Sequence, residues 1–279
     1  MTLSERNLYI KCALVFEVLL FICMAIIATL LLLKKQDILS LYAELARPLQ
    51  PDFLNQFAVC RENTTALILQ QVLFPLYSSL LLFTVYFLFE KTYVIDISFF
   101  IFFALFIGLE SIKLLIPLFN LWTFFPDSVR FISRLLHFFR MLGIFVLVVG
   151  TIFIDTPFSR RVTPILFSLS FLSFAMTAIT PFNTSFFRFN FLTSDGLNSI
   201  TTNIFIFFTF IIFITYFIAG KTKGAKAYIT ASWSITLLLI GYFLTLYTAN
   251  TIFFLISNSF FILGSYFYLR SIHSYNLWL

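Results

Sequence analysis

Apolar runs of about twenty residues recur along this chain from end to end, and they leave it few ways to fold. A run of that length crosses the hydrocarbon core of a bilayer as a single α-helix. Eight segments qualify, at roughly 12–33, 66–89, 95–118, 131–154, 164–181, 198–219, 228–247 and 251–270. The fifth is the shortest. Only Thr248-Ala249-Asn250 separates the last two, which predicts a tight helical hairpin. A seven-helix count, with one of these segments not crossing, is the competing reading.

Composition closes off the soluble alternative. The chain is 61% hydrophobic and 11% charged, with a mean hydropathy of +1.00. A soluble domain is about half apolar and about a quarter charged. The expected fold class is therefore all-α: a polytopic transmembrane helical bundle, with residues 1–279 forming one integral membrane domain. The 42 phenylalanines are ordinary wall material in lipid. The first run, about 22 residues followed by Lys34-Lys35, is longer than the apolar core of a cleavable signal and reads as a retained helix.

The net charge of +6 points to loop orientation rather than to nucleic acid. With the N-terminus inside, the inner loops carry Arg6, Lys11, Lys91, Arg160, Arg161, Lys221, Lys223, Lys226 and Arg270. The short outer loops carry only Arg130 and Arg188, and the long one adds Lys34, Lys35, Arg47 and Arg61. Both termini are expected to be cytoplasmic, in a bacterial inner membrane. The segment 34–65 is the longest outer loop. Its stretch Asp37–Leu45 has helical apolar spacing, so a short interfacial helix and a plain connection both fit.

Chemical motifs are sparse. There is no phosphate-binding glycine loop, no dinucleotide fingerprint and no HExxH. Cys12, Cys23 and Cys60 form no paired framework, and His137 and His273 are too far apart to suggest zinc. No metal and no cofactor is expected. Asn63-Thr64-Thr65 and Asn183-Thr184-Ser185 match a glycosylation pattern that is common by chance.

One constellation stands out. Ionisable residues within spans are costly and mark interior or cavity positions. They concentrate in the third segment, at Glu110 and Lys113, and in the fourth, at Arg134, His137 and Arg140. Counted outward from residue 125, between these segments, Glu110 and Arg140 each lie 15 residues away and Lys113 and His137 each lie 12 away. An antiparallel hairpin sets Glu110 level with Arg140 and Lys113 level with His137, with Arg134 nearer the outer surface. Lys113, Arg134 and Arg140 against Glu110 leave +2 before His137 is counted. Glu17 of the first segment, water, an anionic lipid or a small anion could balance it.

Two readings of these five residues compete: a structural ion-pair network, and an outward-facing ligand pocket. At the level of the whole chain, the layout suits a sensor-type or accessory membrane module acting with a membrane or cytoplasmic partner protein. A transporter or channel using the pocket between the third and fourth helices is the alternative. A membrane-embedded enzyme fits least, because no nucleophile–base pair or metal site assembles. Ser133 and His137, four residues apart, come nearest. The last four helices read as apolar wall.

Overall fold

The computed structural model describes residues 3–33, 46–47, 63–92, 94–153, 162–188, 191–195, 198–247 and 250–277. Among these residues, eight helices are long and apolar enough to cross a membrane. They are α1 (Leu3–Leu33), α2 (Thr64–Phe89), α3 (Ile95–Leu118), α4 (Pro126–Ile152), α5 (Val162–Ile179), α6 (Asn198–Thr222), α7 (Lys226–Tyr247) and α8 (Thr251–Leu277). The chain is thus a multi-pass integral membrane protein. Eight crossings return it to the side on which it began, so one end of the bundle bears both termini and the other is the far end.

Each expected segment corresponds to one helix, and the ends that differ have local causes. α1 starts nine residues before its apolar run because Arg6 is fully buried against the last turn of α2. Its guanidinium donates to the Thr92 carbonyl at 2.8 Å, to the Phe89 carbonyl and to the Asn7 side chain, while Asn7 donates to the Glu90 carbonyl at 2.9 Å. These carbonyls lie at or just beyond the C-terminal end of α2, where the helix dipole favours a cation. α4 starts early because Pro126 occupies its first turn, where a missing N–H costs nothing. The α3–α4 turn is made by Asn120, held in the left-handed region at φ 48°, a conformation that asparagine tolerates.

Asn63 caps α2: its side-chain oxygen accepts from Thr65 N at 2.9 Å, and its amide nitrogen donates to Thr251 at 3.3 Å. This asparagine of the glycosylation pattern is engaged in the structure. Asn250 caps α8 in the same way, accepting from Phe253 N at 2.7 Å.

α3 and α4 are the most buried helices. α3 lies against α1, α2 and α4; α4 also meets α5 and α6; α7 packs between α6 and α8; and α8 closes onto α2. The expected α7–α8 hairpin is present and is tight because of two glycines. A Cβ on Gly264 would come within 2.6 Å of Leu238 N, and one on Gly241 within 2.9 Å of the Ser257 carbonyl. Small residues let helix backbones touch in this way in membranes.

A small sheet was not expected. β2 (Phe182–Arg188) and β3 (Thr193–Asp195) pair antiparallel, with Phe182 opposite Asp195, and β1 (Ala46–Arg47) joins β2 in parallel, with Ala46 opposite Phe187. The strands lie in the connections α1–α2 and α5–α6 at the far end. A search for spans of about twenty residues passes over elements this short. The interfacial helix considered for Asp37–Leu45 lies outside the described residues.

Candidate functional site

α3 is not a continuous α-helix. It is α-helical over Ile95–Gly108, tightens to a 3-10 helix over Leu109–Leu114, and resumes over Leu115–Leu118. At three residues per turn, positions i and i+3 eclipse. Glu110 and Lys113 therefore stack on one face, and the Lys113 amine lies 3.4 Å from Glu110 Oε2. Both side chains are only 1% exposed.

Arg140 of α4 meets the same carboxylate in a two-pronged geometry. Its Nε donates to Oε1 at 2.6 Å and its Nη2 to Oε2 at 2.8 Å. Tyr242 of α7 donates its hydroxyl to Oε1 at 3.2 Å. A carboxylate offers about four lone-pair sites, and here each oxygen has two partners. Glu110 is saturated by groups from three helices.

Glu110 and Arg140, expected to be level, are paired; Lys113 and His137, also expected to be level, are not joined by a hydrogen bond. Lys113 turns back to Glu110 and places its amine 5.6 Å from the Phe74 ring centre on α2. His137 is buried edge-on to Phe182 at 5.6 Å. Arg134 is exposed, with its guanidinium 5.9 Å from the same Phe182 ring. Of the five expected residues, the structure brings Glu110, Lys113 and Arg140 together. It places His137 and Arg134 around Phe182, toward the far end. The core charge is thus +1 rather than +2.

Glu17 does not supply the balance. It sits at the midpoint of α1, fully buried, and its carboxyl fills the space left by the missing side chain of Gly108, which a Cβ there would overlap. Ser78 of α2 stands beside it, but that hydroxyl donates to the Ala104 carbonyl at 2.7 Å. Among the described residues, neither Glu17 oxygen has a hydrogen-bond partner.

The reading of the last four helices as apolar wall is corrected in α6, α7 and α8. Tyr242 reaches Glu110. At the termini-bearing end, Tyr216 of α6 donates to Asp96 of α3 at 3.3 Å and shares a 2.8 Å hydrogen bond with Tyr268 of α8. All three are buried. Asp96 also accepts from Ile97 N at 3.0 Å. Nearer the far end, Asn258 of α8 donates to Gln70 of α2 at 2.8 Å. Twelve tyrosines in an aromatic-rich chain gave no sign of which ones point inward.

Among the described residues, no three His, Cys, Asp or Glu side chains gather closely enough to hold a metal ion. No family model, no curated protein and no solved structure matches the chain.

Proposed function

We propose that the chain is a sensor-type or accessory membrane module, held in one state by a charged latch and acting through a partner protein. The saturated Glu110 carboxylate carries this reading. The carboxylate has no acceptor position left for a ligand, because Arg140, Lys113 and Tyr242 already address it. A latch of this kind is bistable. Removing the Glu110 charge leaves Arg140 and Lys113 as uncompensated cations in a low-dielectric interior, which is worth several kcal/mol. Relief then comes from loss of the Lys113 proton, from separation of the helices that meet there, or from entry of water.

The excess of Lys and Arg on the termini-bearing end supports placing that end in the cytoplasm. A bacterial inner membrane, where multi-helix signalling modules of this layout are common, is the setting that goes with it.

Transport is the second reading, and one observation favours it. Non-α-helical segments at membrane depth often line substrate sites, and the 3-10 stretch of α3 carries two of the three charged residues of the Glu110 cluster. The two readings separate in reconstituted vesicles and native membranes. The module predicts no proton or anion flux above that of protein-free vesicles. It also predicts that Glu110→Gln changes which neighbours are trapped by in-membrane cross-linking. Flux abolished by Arg140→Gln would replace the module with a transporter.

A further inference from the structure

Along the lipid-facing side of the α6–α7 hairpin runs a groove of about 390 Å³. Phe205, Phe210, Phe213, Trp233, Leu239 and Phe243 form much of its wall. Two threonines also line it, but neither makes it polar. Thr209 donates to the Phe205 carbonyl and Thr236 to the Ser232 carbonyl, both at 2.8 Å. The groove offers an occupant only apolar surface.

About two helical turns beyond its Phe213–Trp233 end lies a basic loop. Lys221, Lys223 and Lys226 surround the α6–α7 turn, where Gly224 adopts φ +62°, and all three are exposed. Lys223 leans into the bundle, its amine 5.0 Å from the Tyr228 ring centre. Lys221 lies over Phe217 at 5.7 Å, one turn toward the groove, and Lys226 opens α7. Trp233 is seven residues beyond Lys226, about 10 Å along the helix.

We propose that the α6–α7 hairpin binds an anionic phospholipid, with its phosphate on Lys221 and Lys226 and one acyl chain in the groove against Trp233. Charge complementarity selects this occupant. A zwitterionic lipid gains little from two lysines, whereas an anionic headgroup gains about 1 kcal/mol, or about five-fold in affinity, from each.

Trp233 reports on the site directly. In a Trp122→Phe, Trp278→Phe background it is the sole tryptophan of the full-length chain. The protein is reconstituted in vesicles containing phosphatidylglycerol or phosphatidylcholine brominated at mid-chain, and Trp233 quenching is measured. The expected result is preferential quenching by brominated phosphatidylglycerol, about five-fold weaker in selectivity for each of Lys221→Gln and Lys226→Gln and reduced at high salt. Equal quenching by both lipids, or selectivity unchanged in the double lysine variant, overturns the proposal in favour of an ordinary lipid-facing wall. Absence of quenching by either lipid overturns it in favour of a protein-covered groove.

Discussion

Arg140 grips Glu110 with the Nε–Nη2 edge of its guanidinium across the α3–α4 interface, at 2.6 and 2.8 Å. The arrangement couples two helices through one planar contact, in which geometry as well as charge fixes their register. Lys113 and Tyr242 then occupy the remaining acceptor positions of the same carboxylate.

Breaking that pair from one side should be worse than removing it. Glu110→Gln or Arg140→Gln alone is expected to lower stability by about 3–5 kcal/mol, because the surviving charge stays buried. The double variant should lose clearly less than the sum of the singles. Denaturant titration of the purified protein in micelles checks this; additive losses would mean that the two residues do not act as a pair.

Tyr242→Phe isolates the third partner. The ring keeps its packing on Phe103, 5.8 Å away, and on Phe261, 6.2 Å away. Only the hydroxyl on Glu110 is lost, at a cost of about 1.5–3 kcal/mol for a hydrogen bond to a charged group. The loss should vanish in a Glu110→Ala background, which removes the acceptor. If it persists there, Tyr242 contributes by packing rather than through the carboxylate.

Gly108 and Glu17 should behave as a packed couple. Gly108→Ala puts a methyl into the Glu17 carboxyl, and overpacking of this kind costs about 1–3 kcal/mol. Shortening the other side, in Gly108→Ala with Glu17→Ala, should restore most of it. Melting temperatures of the four proteins in the cycle decide the matter, since a double variant as unstable as Gly108→Ala would place the clash elsewhere.

The spans were legible because bilayer thickness imposes a length that a window of residues can detect. The Glu110–Arg140 contact was legible too, since a short turn between antiparallel helices lets depth be counted from its midpoint. Lys113 escaped that counting because α3 tightens into a 3-10 helix and turns the lysine toward Glu110. Glu17 was misjudged because α1 reaches α3 through packing of helices separated in sequence, which no local spacing encodes. Tyr242, Tyr216 and Tyr268 were hidden in aromatic-rich helices whose inward and outward faces carry similar residues. The strands Phe182–Arg188 and Thr193–Asp195 lay in a connection too short to register beside the spans.

The central claim is that Glu110 latches α3, α4 and α7 into one state. Spin labels at Phe131 of α4 and Ile240 of α7, both exposed, with the native cysteines replaced by alanine, report the separation of these helices in vesicles by double electron–electron resonance. The latch predicts one narrow distance distribution for the otherwise native chain and a second, shifted population in Glu110→Gln. Identical distributions in the two proteins would show that the buried charges hold no switchable state, and would contradict the account.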